Sequence, residues 1–160
     1  MKLLPLILAT SLLGLGLAQA LVVQPAPNVA WVNSAGKLEN SVAFKNQPVV
    51  VVIAPSPKSW IFRAQVGQLQ KMYERYAAEK IIFIAAFTKE QGLIKSNIPF
   101  VLAADGPRTG FDYQITKNFG IAVIGRDGNL DCLSSRVLPA QRIYDIVNNS
   151  FVPQAADRRP

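Results

Sequence analysis

Histidine is absent from this 160-residue chain, and cysteine occurs once, at position 132. A lone cysteine allows no disulfide and no dithiol couple within the chain. Without histidine, the usual zinc ligand sets and a Ser-His or Cys-His nucleophile pair are excluded as well. Acidic residues are also sparse, ten in all, and too scattered for a carboxylate-only metal site. No metal, no cofactor and no catalytic residue is therefore assigned from the sequence. Lys and Arg number 17 and give a formal charge of +7, or +6 without Lys2. That excess permits weak attraction to acidic surfaces. The basic residues form no stripe with interleaved aromatics, which argues against nucleic acid as a partner.

A second long apolar run is missing too; the single one opens the chain. MKLLPLILATSLLGLGLAQA carries its charge at Lys2, an apolar stretch over residues 3–18, and small residues at Ala18 and Ala20. This is the layout of a secretory signal peptide. The run falls short of the ~20 apolar residues of a membrane span, and sequence with prolines comes directly after it. Residues 1–20 are thus expected to be removed, leaving no stable membrane span and an exported protein, periplasmic or extracellular. A retained N-terminal anchor is the alternative.

The remaining residues, from Leu21 onward, fit one domain. Residues 21–46 read as an extended, loosely structured lead-in, with NSAGKLENS as a polar turn. Residues 47–150 carry the domain, and 151–160 are expected to be a disordered tail. The run Val49–Ala54, VVVVIA, is apolar without alternation, as in a strand covered on both faces. Pro55 and Pro57 end it. A helix is expected from Ser59, whose hydroxyl can cap the first turn. Phe62, Val66, Leu69, Met72, Tyr73 and Tyr76 fall on one helical face. A second buried strand is expected over 81–87, completing a βαβ unit. Residues 88–118 admit a short strand at 100–103 or a buried loop, and a short helix within GPRTGFDYQI. A hairpin is clear: strands at 120–124 and 130–135 flank Gly125-Arg126-Asp127-Gly128, the Asp-Gly favouring a tight turn. Alternation then puts Leu130, Cys132 and Ser134 on one face. Pro139 opens a final helix carrying Ile143, Ile146 and Val147 on one side. The predicted fold is α/β: a thioredoxin-like three-layer sandwich, with a parallel β-α-β half followed by a β-hairpin and a closing helix.

In that order of elements the chain resembles thioredoxins and peroxiredoxins, whose active cysteines sit after the first core strand. Matching Ala54-Pro55 to the Ala-Pro before many Cys-x-x-Cys motifs puts the cysteine positions at Pro57 and Trp60. A one-residue slip puts them at Ser56 and Ser59. Neither register supplies a thiol. TKNFGIAVIG also lacks the proline that usually precedes the hairpin in those families. The chain is more similar to a family of small secreted bacterial proteins of unknown function, whose domain recurs in animal sushi-repeat and matrix-associated coiled-coil proteins. Ala54-Pro55-Ser56, Gln65 and the Val123-Ile124-Gly125-Arg126-Asp127-Gly128 turn carry this resemblance. Arg126 replaces the usual Lys, residues 91–106 run longer, and the Met-Pro-Met-Arg-Arg ending is absent. The resemblance implies the thioredoxin-like fold without a proven reaction.

Three places are candidate sites. Ser56, Lys58, Ser59 and Gln65 form a candidate binding corner, where helix-start amides favour an anion; a proline turn with a serine cap is the plainer reading. Arg126 and Asp127 are a candidate contact at the hairpin tip, or a turn chosen for its geometry. Cys132 is the candidate redox thiol, or a buried apolar group. Trp31 and Trp60 either cover apolar surface or mark a partner site. Two functions are compatible with these residues. One is non-catalytic binding or an envelope-structural role with a protein or envelope partner. The other is atypical redox chemistry through Cys132 and a partner thiol, which needs an exposed thiol of lowered pKa, assisted by Arg136 or Arg126.

Overall fold

A computed structural model describes residues 24–44, 46–115 and 117–149. The expected signal segment 1–20 and tail 151–160 lie outside the described residues.

Four valines and an isoleucine have strong β preference, and every residue of β3 (Val49–Ala54) is buried. It lies at the centre of a five-stranded sheet. Parallel β4 (Ile82–Phe87) is on one side and antiparallel β6 (Gly120–Ile124) on the other. The edges are β5 (Phe100–Leu102), parallel to β4, and β7 (Leu130–Ser134), antiparallel to β6. The order is β5-β4-β3-β6-β7.

Alternate residues of β3 feed two different cores. Val50, Val52 and Ala54 face Phe62, Leu69, Tyr76, Ile143 and Val147. These come from α1 (Trp60–Gln70), α2 (Tyr73–Ala78) and α4 (Ala140–Asn149). Val49, Val51 and Ile53 face Trp31, Ala103 and Tyr113. That second layer is built by α3 (Gly106–Asp112) and by a small hairpin, β1 (Ala30–Val32) with β2 (Leu38–Asn40). Burial on both faces explains why the strand shows no polar alternation.

Three local expectations are corrected. The expected single helix is broken at Lys71 and Met72 into α1 and α2. The lead-in is not loose: Trp31 is buried, stacks on Phe44 at 4.9 Å, and its indole N–H donates to Glu39. The polar NSAGKLENS is the turn and return strand of that hairpin, with Gly36 at φ 75°. Lastly, Leu130 does not share a face with Cys132. The β6–β7 register shifts between Val123 and Ile124, pairing Val123 with Cys132 and Ile124 with Leu130. Asp131 is the extra residue of this bulge, so Leu130 turns to the Trp31 side and Cys132 to the helix side. The ambiguous middle resolves as β5 and α3, the latter capped by Asp105, whose carboxylate accepts from the Arg108 amide at 2.8 Å.

Candidate functional site

The corner after β3 is set by where the strand runs out of donors. Pro55 and Pro57 offer no N–H. The carbonyl of Pro55 accepts instead from the amides of Lys89 and Glu90, at 3.0 Å each, and Ala54 accepts from the Thr88 amide. The loop after β4 thereby closes over the corner. Ser59 occupies the N-cap position of α1 without capping it. Its hydroxyl donates to the Ser56 carbonyl at 2.8 Å, as does its own amide at 3.2 Å. The two serines are thus joined in a turn, and the cap expected of Ser59 is not made.

Lys58 points outward and pairs with Glu90 at 3.1 Å, the side chains being 82% and 60% exposed. So exposed a pair contributes little stability, yet Glu90 partly offsets the charge that Lys58 brings to the corner. Its position, 32 residues on, leaves no local sequence signal for the pairing. Trp60 stands 71% exposed at the first position of α1, and Leu93 is exposed just beyond Gly92, which packs on Pro57. Trp60 is therefore a surface residue, whereas Trp31 belongs to the core.

Gln65 does not join this corner surface. It is 0% exposed, donates to the Leu138 carbonyl at 3.0 Å and accepts from the Leu138 amide at 2.8 Å. Both halves of its amide hold the approach to α4 against α1. At the hairpin tip, Arg126 folds back: it pairs with the carboxylate of Glu79 and donates to the carbonyls of Asn46 and Glu79. Asp127 accepts from the amide and side chain of Asn129 within the turn.

Cys132 stands apart from all of these. It pairs with Val123, which pairs with Val50, four positions before Ala54. At ~3.3 Å per residue and ~4.8 Å per strand, the thiol lies roughly 16 Å from the end of β3. It is half-buried against the helix-side core. Burial pushes the thiol above its ordinary range; Arg142 pulls it down by less, and Asp131 pushes it up. The assisting cation is thus Arg142 of α4 rather than Arg136 or Arg126, and it does not prevail.

No family model and no curated protein matches the chain. Solved structures do match. A thiol:disulfide interchange protein from Bacteroides sp. superposes with TM-score 0.63 at 16% identity, covering 86% of this chain and 97% of that one. The thioredoxin domain of a thiol-disulfide oxidoreductase from Bacteroides vulgatus gives TM-score 0.61 at 18% identity, covering 84% and 100%. The fold is thioredoxin-like. A reduced 2-Cys peroxiredoxin from Plasmodium vivax matches at TM-score 0.57 and 15% identity, covering 79% and 94%. At these identities the likeness is one of fold alone. Within the thioredoxin-like frame, the corner holding Ser56 and Ser59 is the turn from first core strand to first helix.

Proposed function

We propose that this chain is an exported thioredoxin-fold protein that binds a protein or envelope partner and carries out no thiol chemistry. One observation carries the reading: the strand-to-helix corner has no thiol, and the single cysteine lies roughly 16 Å away, two strands across. A thiolate is the nucleophile in disulfide exchange. Here the thiol is half-buried and its ionisation is disfavoured. What the corner offers to a partner is exposed Trp60 and Lys58, and the following loop adds exposed Leu93. An anion binding to Lys58 would compete with Glu90. Export rests on the layout of residues 1–20, and the tie to the secreted bacterial family rests on Ala54-Pro55-Ser56, Gln65 and the turn over 123–128.

Two assays on the purified, reduced protein test the reading. In insulin reduction and peroxide consumption, no turnover is expected above a Cys132→Ser control. Thiol labelling of Cys132 at pH 8 is expected to be at least about tenfold slower in the native protein than in urea. Turnover abolished by Cys132→Ser, or equal labelling rates, would replace the binding reading with single-thiol redox chemistry.

A further inference from the structure

At the end of the sheet opposite the corner lies a cavity of about 470 Å³, between the lead-in and the β6–β7 turn. Small-molecule sites commonly span ~300–1,000 Å³, with apolar walls and a few convergent polar groups. This one has both. Ala26, Val42, Phe44 and Ile124 supply apolar wall. Its two sides are laced together by backbone hydrogen bonds, from the Ala26 amide to Gly128 and from the Asn46 amide to Arg126, at 3.0 and 3.2 Å. Phe44 is held by its stack on Trp31. The walls therefore belong to the folded body.

The polar groups decide what fits. Asn46, exposed at the mouth, and Gln47, half-buried, line the cavity, and among the described residues their side-chain amides make no hydrogen bond with the protein. Asn46 is held at φ 67°, in the left-handed region, which fixes where its side chain leaves the chain. Among the described lining residues the one cation, Arg126, is already paired with Glu79, both side chains being 26% exposed. Asp127 is exposed and holds Asn129. Against the described lining, a charged ligand group would have to displace the Arg126–Glu79 pair or remain unpaired against apolar walls, which is costly. An uncharged ligand meets neither penalty, and the two carboxamides have donors and acceptors to offer it.

We propose that this cavity binds a small uncharged molecule with an apolar body and one hydrogen-bonding group, read by the side-chain amides of Asn46 and Gln47. The site is separate from the corner over residues 55–59, and the proposal does not depend on how that corner is used.

The probe is N-phenyl-1-naphthylamine, neutral at pH 7 and brighter in apolar surroundings, titrated into the purified protein. Its anionic counterpart, 1-anilinonaphthalene-8-sulfonate, is titrated alongside. Saturable brightening with the neutral probe is expected, with binding several-fold weaker for the anion. Val42 is 63% exposed, so Val42→Trp narrows the mouth without entering the core; at least about tenfold weaker binding is expected. Asn46→Gly removes the amide and tolerates the left-handed backbone, with a few-fold loss expected. Phe111→Ser, on the exposed face of α3 and outside the lining, is expected to change nothing. Circular dichroism and melting temperature check that each variant folds, and Asn46→Gly carries the test should Val42→Trp not fold. The proposal is overturned by absence of saturable binding, by binding that ignores both cavity variants, by loss in Phe111→Ser, or by an anion that binds as tightly as the neutral probe.

Discussion

Gln65 is a polar side chain in an apolar layer, and its burial is tolerable only because Leu138 satisfies it twice. Gln65→Leu keeps the volume but strands a part-buried amide and carbonyl. A loss of about 2–4 kcal/mol in urea denaturation is expected, with no new exposure at the corner. Asp131 is the opposite case, a carboxylate whose charge is disfavoured where it sits. Partial burial in the bulge, and then Asp127, raise it from the ordinary 3.8 to about 6. The native protein thus holds this proton more tightly than the unfolded chain. The stabilisation is complete below about pH 4 and disappears as pH rises through 6. Asp131→Asn is expected to raise the urea midpoint at pH 7 and leave it unchanged at pH 4. Because the residue is exposed, the gain is at most about 1 kcal/mol. Equal effects at both pH values would show that the charge is not the cause.

Among the elements, α3 is the most tightly placed. A Cβ on Gly106 would fall 1.9 Å from the carbonyl oxygen of Phe87 and 2.8 Å from its amide nitrogen. Both are main-chain atoms of β4, so neither can swing aside. Gly106→Ala is therefore expected to cost about 3 kcal/mol or more, read as a fall in melting temperature, because it pries the helix start from the strand end. Gly67→Ala on α1 is the control. Nothing stands within 4 Å of its Cβ, and alanine favours the helix by up to ~1 kcal/mol. A stabilised Gly106→Ala would contradict the close approach of α3 to the Phe87 main chain.

At the scale of the whole molecule, the lead-in serves as one wall of the second core. Its own Trp31 is buried against the sheet, the Tyr113 hydroxyl donates to the Pro27 carbonyl at 2.9 Å, and the Ala104 amide donates to Ala30 at 2.7 Å. Deleting residues 24–44 would bare Val49, Val51, Ile53 and Tyr113 on one side of the sheet. At ~1.5–3 kcal/mol per large apolar side chain, such a loss rivals the net stability of a domain this size. The truncated chain is expected to lose its cooperative melting transition. Trp31→Ala is expected to keep the transition but lower stability by about 3–5 kcal/mol. A truncation that melts like the full chain would make the lead-in an appendage.

How much of the fold and site was legible in the residues depended on the range of the interaction. Unbroken β-branched runs, prolines that end a strand, helical spacing and an Asp-Gly turn are local signals. They specified β3, β4, α1, the β6–β7 hairpin and α4, and through their order the thioredoxin-like fold. The absence of histidine and of a second cysteine is likewise a property of composition, and no folding alters it. The remainder was decided by contacts between distant parts of the chain. The pairing of Gln65 with Leu138, of Arg126 with Glu79 and of Lys58 with Glu90 joins residues 73, 47 and 32 apart. Strand periodicity placed Leu130 beside Cys132, and one bulge residue reversed that. The lead-in looked loose because Trp31 has its apolar partners far along the chain, in β3 and at Tyr113. Local sequence thus determined which elements form. Tertiary packing decided which polar groups found partners and which face each strand residue took, because those partners lie far along the chain.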